Sequence, residues 1–250
     1  MYEKSQNEMH ITNYRIHMKN DIISKTLKGT TMIKALIFDM DGTILNTIDD
    51  ITESINHAFI LKGYPKQTLD AVKMAVGSGA IQLIERLAPK HLNKEEIKSL
   101  YVAYQRHYDV NKDNQTGPYP GIMDLLDQLK HQGYLLAVVS NKYEYLVQEL
   151  NIKIFNNYFD VSIGDAPGIP IKPAPDMVYK ALNLLKINKE EALFIGDSDV
   201  DIITAQNAGL KSVGVTWGFR DQQTLEAHHA NYIIHQPYEL LAILERNQKL

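Results

Sequence analysis

The sequence predicts an α/β fold: a doubly wound, mostly parallel sheet carrying four inserted helices. Three observations lead there. A short apolar run at 33–38 ends abruptly at Asp39 and similar runs recur at 135–139, 192–195 and 212–216, their length and bounds suiting strands buried on both faces of a parallel sheet. The later runs are preceded by helical patterns, as βαβ crossovers require. Between the first and second runs the alternation lapses, and residues 47–110 read as helix alone.

Residues 1–31 are polar, lack helical or strand periodicity, and read as a disordered arm. Met32 opens a different texture, and the IKALIF run at 33–38 gives the first strand. In the helical stretch Ile48, Ile51, Ile55 and Phe59 share a face, with Thr47 and Asp50 in N-cap and N3 positions. Leu69, Val72 and Val76 mark a second helix, and Leu83, Ile84 and Leu87 a third after the Gly77-Ser78-Gly79 break. A fourth begins at Asn93 and carries Ile97, Leu100, Tyr104 and Tyr108. Four such faces can close a small bundle of their own. Residues 111–121, with Pro118 and Pro120, form the return linker.

Beyond it, Ile122, Leu125, Leu126 and Leu129 make a helix closed by Gly133, and Val178, Ala181, Leu182 and Leu185 make another. Weaker signals at 232–234 and 238–244 add a last strand and helix. The expected organisation is an arm at 1–31, a catalytic core at 32–46 and 112–250, and a helical cap at 47–111 over the sheet's active edge.

Composition narrows the class. With 250 residues, 44% hydrophobic and 22% charged, the chain is neither disordered nor a general nucleic-acid binder, its net charge being −4. The absence of cysteine excludes disulfides, thiol nucleophiles and zinc–thiolate sites. No run reaches the ~18 apolar residues of a membrane span, and residues 1–31 lack a signal-peptide core. The expectation is a cytoplasmic protein with no membrane or nucleic-acid partner, monomeric or a homodimer.

The chemistry concentrates in two acidic clusters. Asp39-Met40-Asp41-Gly42-Thr43 follows the first strand directly, where ligands bind open parallel sheets. Two carboxylates at that spacing can divide their work, one attacking phosphorus and the other moving the proton. Gly42 lets the backbone turn, and Thr43 can hold the loop. Gly196-Asp197-Ser198-Asp199-Val200-Asp201 follows the strand at 192–195. Neither cluster is a calcium loop: positions six and twelve are Ile44 and Asp50 in one, Ile202 and Ala208 in the other. Carboxylates converging from two strand ends repel unless a divalent cation lies between them, and an all-oxygen site for phosphate chemistry suits magnesium. Donors for an anionic substrate are at hand in Ser140-Asn141, ending the strand at 135–139, and in Lys172, in a stiff turn before a helix.

The ordered set D-M-D-G-T, V-V-S-N, K-P-A-P-D and G-D-S-D-V-D resembles the haloacid dehalogenase superfamily over about residues 33–245. The helical insertion is similar to that of its four-helix-cap subgroup, and Tyr119-Pro120-Gly121, residues 76–79 and residues 214–218 look most like the phosphoglycolate phosphatase branch. The resemblance implies a Rossmann-like core and a magnesium-dependent phosphatase acting on a small phosphorylated metabolite, 2-phosphoglycolate foremost. It implies Asp39 as nucleophile and Asp41 as general acid and base. Ser140, the Asn141 backbone and Lys172 would hold the phosphoryl oxygens, and Asp39, the Asp41 carbonyl and Asp197 the Mg2+. Asp201 would support the metal shell or Lys172, and Asp199 has no implied role. Asp41 speaks against dehalogenation. The remaining alternatives are a sugar-phosphate mutase, a pyrophosphatase, and a catalytically silent metabolite-binding protein.

Three signals are discounted. Gly77-Ser78-Gly79 fails as a dinucleotide fingerprint because position 82 is Gln and no strand precedes it. It reads as a helix–helix turn able to reach a substrate. His228-His229 reads as surface, and Trp217 and Phe219 as packing beside the last strands, with their loop bordering the pocket as the lesser reading.

Overall fold

In the computed structural model, which describes residues 32–248, the hydrophobic runs become strands whose alternate side chains enter different cores. Strand β1 (Ala35–Phe38) is followed by a two-residue strand β2 (Leu45–Asn46), helices α1 (Ile48–Leu61), α2 (Leu69–Ala75), α3 (Ala80–Leu87) and α4 (Lys94–Asn111), and a two-residue strand β3 (Gly117–Pro118). The chain then alternates through α5 (Ile122–His131), β4 (Leu135–Tyr143), α6 (Glu144–Phe155), β5 (Val161–Asp165), α7 (Asp176–Leu185) and β6 (Ala192–Gly196). It ends with α8 (Asp199–Ala208), β7 (Lys211–Val215), α9 (Gln222–Ala227), β8 (Tyr232–Ile234) and α10 (Glu239–Gln248). The arm expected at 1–31 lies outside the described residues.

Six strands form one sheet in the order β5-β4-β1-β6-β7-β8, with every pair parallel. Leu36 and Phe38 of β1 face one hydrophobic core, while Ala35 and Ile37 face the other. This two-sided burial is what produces an unbroken apolar strand rather than an alternating one. After β1 the chain builds outward to β4 and β5, then returns to build β6, β7 and β8 on the opposite side. The crevice beyond the carboxyl ends of β1, β4 and β6 is therefore the switch point of the sheet.

The four inserted helices build a third core, with Ile51, Ile55 and Phe59 of α1 and Leu100, Tyr104 and Tyr108 of α4, which Leu146 and Phe219 join from the rest of the chain. Asn93 caps α4 as expected, accepting from the Glu95 and Glu96 amides while Glu96 accepts from the Asn93 amide. The pairing expected at Thr47 and Asp50 is absent. Thr47 has helix-like backbone angles and makes no cap, and Asp50 instead accepts from the Gln115 and Thr116 amides at 2.8–3.0 Å. Those amides precede β3, which pairs antiparallel with β2, so the carboxylate of α1 ties down the returning strand. No helix among the described residues is long and apolar enough to cross a membrane.

Other elements depart from the sequence reading. Strand β5, unrecognised in the sequence, contains Ser162, Gly164 and Asp165, residues that ordinarily signal a turn. Gly164 is there for proximity: a Cβ at that position would lie 2.5 Å from the Glu144 Cα and the Lys142 carbonyl oxygen. Strand β4 continues to Tyr143 through a register shift against β5, so Ser140 and Asn141 lie within it rather than after it. Leu69 is exposed, and α2 packs through Val72 and Ala75.

Candidate active site

Every residue singled out for chemistry converges on the crevice at the switch point. Asp39 leaves the end of β1 with its amide bonded to the Ile195 carbonyl, which sets it beside the end of β6. Gly42 takes a left-handed conformation (φ 86°). A Cβ there would stand 2.4 Å from Asp197 Oδ2, so only glycine lets the two acidic loops meet this closely. Thr43 does not brace its own loop. Its hydroxyl donates to Asp197 Oδ1 at 3.1 Å, and the Phe219 amide donates to Asp197 Oδ2 at 2.7 Å.

Lys172 is almost fully buried and stands between two carboxylates, 2.8 Å from Asp39 Oδ1 and 2.7 Å from Asp201 Oδ1. Burial alone would pull its ammonium down, but Asp201 and Asp39 outweigh it and hold the lysine charged. Asn141 fixes the backbone of Lys172, accepting from the Lys172 amide and donating to the Lys172 carbonyl. The same Nδ2 donates to the Gly77 carbonyl of the helical insert at 2.9 Å. The Asn141 side chain is thus a brace, while the Ser140 hydroxyl accepts only a 3.3 Å bond from the Lys142 amide.

Asp39, Asp197 and Asp201 each offer an oxygen within 4.8 Å of the others. The three differ in what already engages them. Both oxygens of Asp201 are taken, one by Lys172 and the other by the Ser198 amide and hydroxyl. Asp39 Oδ1 is buried, with the Lys172 ammonium beside it and no well-aligned hydrogen bond. Burial first, and the Asp201 charge next, push the Asp39 carboxyl from 3.8 up to about 7 against the opposing pull of Lys172. Burial with the Asp201 and Asp39 charges drives Asp197 up as well. Carboxylates crowded beyond what one lysine neutralises fit a divalent cation held by oxygen ligands; each Asp197 oxygen meets one neutral donor, Thr43 or the Phe219 amide, and keeps lone pairs for it, while Asp201 positions Lys172.

Asp41 faces the insert. Its Oδ2 lies 3.0 Å from Lys142 Nζ, and its Oδ1 is buried without a partner. Lys142 in turn donates to the Tyr108 hydroxyl of α4 at 2.7 Å. Lys142 carries no signal in the sequence beyond a lysine at a strand end. The loop after Gly218 borders the pocket, the lesser of the two readings for Trp217 and Phe219, since Phe219 and Arg220 line the cavity. Arg220 donates to the Lys73, Met74 and Val76 carbonyls at the end of α2 and pairs with Asp199 at 3.4 Å. Asp199 thereby anchors the insert. The Gly77-Ser78-Gly79 turn, as expected, joins α2 to α3 and forms one wall.

Asp39, Asp41, Asn141, Lys142, Asp197 and Arg220 line a cavity of about 70 Å³ between the sheet's edge and the insert. Typical small-molecule sites measure ~300–1,000 Å³, so this one is sized for a small ligand.

Residues 36–215 match the family model for haloacid dehalogenase-like hydrolases. A phosphoglycolate phosphatase of Pasteurella multocida is 33% identical, covering 86% of this chain and all of that one. A pyrophosphatase of Halalkalibacterium halodurans is 29% identical over 85% of this chain and 97% of its own. The crystal structure of a predicted phosphoglycolate phosphatase from Haemophilus somnus superposes with a TM-score of 0.79 at 31% identity, covering 86% of this chain and 99% of that one. With the family model spanning most of the chain and relatives matching it along nearly all the described residues, the chain belongs to the haloacid dehalogenase-like hydrolase family.

Proposed function

We propose that the protein is a magnesium-dependent phosphatase that hydrolyses a small phosphorylated acid, 2-phosphoglycolate foremost, through an aspartyl-phosphate on Asp39. The observation that carries this reading is the buried assembly of Asp39, Lys172 and Asp197 beneath so small a cavity. Asp39 and Asp197, with the Asp41 carbonyl, would hold the cation, which supplies charge that neutralises the phosphoryl oxygens and offsets the carboxylate repulsion. The similarity to phosphoglycolate phosphatases supports the substrate. We place the reaction in the cytoplasm.

In the first step an Asp39 carboxylate oxygen attacks phosphorus as the bond to the leaving oxygen breaks, and Asp41 gives that oxygen a proton. In the second, Asp41 takes a proton from water, whose oxygen attacks phosphorus and releases Asp39 and inorganic phosphate. Ser140 Oγ and the Asn141 amide hold phosphoryl oxygens throughout, and Lys172 offsets the negative charge gathered on them. Residues 47–111 act as the cap, excluding water during transfer and opening for product through the β2–β3 neck.

The test is a screen of phosphorylated metabolites for phosphate release with magnesium and with chelator. Release from 2-phosphoglycolate that stops with chelator supports the reading. Failure of magnesium-loaded protein to release phosphate from any monoester, aryl phosphates included, overturns it.

A further inference from the structure

We propose that Lys142 and Tyr108 form a receptor for an anionic group on the leaving alcohol, so that the site selects phosphomonoesters whose alcohol carries a carboxylate. This rests on the phosphatase reading above and extends it to specificity. Two cationic side chains line the cavity, Lys142 and Arg220, and Arg220 is committed to the α2 carbonyls and Asp199. Lys172 is committed to Asp39 and Asp201. Lys142 is the cavity-lining cation whose partners, Asp41 and Tyr108, line the same cavity, and its side chain is only 6% exposed.

Its position defines what it can read. The ammonium lies beside Asp41 at 3.0 Å, and so on the side where the proposed acid meets the leaving oxygen, while Lys172 is held between Asp39 and Asp201. It touches the Tyr108 hydroxyl at 2.7 Å and stands 4.8 Å from that ring's centre. Because the lysine donates to it, the phenol keeps its own hydrogen free for a second acceptor. Burial holds Tyr108 well above the usual phenol range, so it remains a donor. An ammonium and a phenol hydrogen facing one cavity suit a carboxylate, which can accept from both. Lys142 belongs to β4 and Tyr108 to the insert, so the receptor is complete only when the two are together.

The experiment compares 2-phosphoglycolate with ethyl phosphate, a two-carbon monoester whose leaving group is neutral, in wild type, Lys142→Met, Lys142→Arg and Tyr108→Phe with magnesium. Wild type should prefer 2-phosphoglycolate in kcat/KM. In Lys142→Met that preference should fall on the order of 10²-fold, with the variant's melting temperature and circular dichroism serving as the check on folding. Tyr108→Phe should lose about tenfold, Lys142→Arg should restore part of the preference, and free glycolate should inhibit wild type but not Lys142→Met. Equal losses on both substrates would make Lys142 merely the counter-ion of Asp41 and overturn the inference. A wild-type enzyme that turns over both esters without preference would also overturn it, leaving the phosphatase reading intact. Inertness toward all monoesters would remove that reading, and this inference with it.

Discussion

Lys172→Met removes the central charge of the site while keeping most of the side chain's volume, including its packing beside Phe194, whose ring centre lies 5.6 Å from the ammonium. Asp201, fully buried, then loses the donor at Oδ1 and keeps only Ser198 at Oδ2. Removing one member of a buried ion pair costs about 3–5 kcal/mol, because the partner's charge is left uncompensated. Here two partners are affected, and Asp39 is already pushed up to about 7 with the lysine present. The metal-free variant should therefore lose about 3–5 kcal/mol by urea unfolding, followed through the single tryptophan, Trp217, whose indole donates to the Thr43 carbonyl beside the site. Magnesium should restore part of the stability. It should not restore turnover, since loss of one charge held on the transferring phosphoryl group costs about 10²–10³-fold. A stability loss below about 1 kcal/mol, with turnover close to wild type, would refute the reasoning that Lys172 balances the three carboxylates.

Asp41→Asn should slow turnover by about 10²–10⁴-fold, the usual share of general acid–base catalysis, and steady-state phosphate release at wild-type rate would exclude Asp41 from proton transfer. Because the folded-state pKa of Asp39 is raised from 3.8 to about 7, the folded protein binds the proton more tightly than the unfolded chain, and this contribution is lost as pH rises between those values. In chelator, melting temperature should fall more steeply over that window in wild type than in Asp39→Asn, and magnesium should remove the difference; parallel curves would contradict the assignment. Arg220→Ala removes three hydrogen bonds to the end of α2 and should lower kcat/KM about tenfold or more by loosening closure, at about 1 kcal/mol per bond. An unchanged kcat/KM would show that the loop does not hold the insert.

What could be read in the sequence, and what could not, follows from where the information resides. Asp39 and Asp197 were legible because a fully apolar strand ending in an acid is unusual, and strand ends in a parallel sheet share one edge. Strand β5 was not, because Gly164 is required by a close backbone approach that no local pattern encodes. The donor to Asp197 from Phe219 was invisible for a similar reason: it is a backbone amide, indifferent to residue type. Lys142 and Arg220 are ordinary surface residues by type, and only the folded chain shows them facing the insert. The Thr47–Asp50 pattern misled because Asp50 has a stronger claim on it, the unpaired amides of the returning strand.

The central claim is that Asp39 carries the phosphoryl group. It is tested most directly by quenching magnesium-loaded enzyme in acid during turnover of phosphate-labelled 2-phosphoglycolate and mapping the label by peptide. The account predicts acid-stable, base-labile label on the peptide containing Asp39, and none in Asp39→Asn, which should also be inactive. Substantial turnover by Asp39→Asn, or label on another residue, would contradict it.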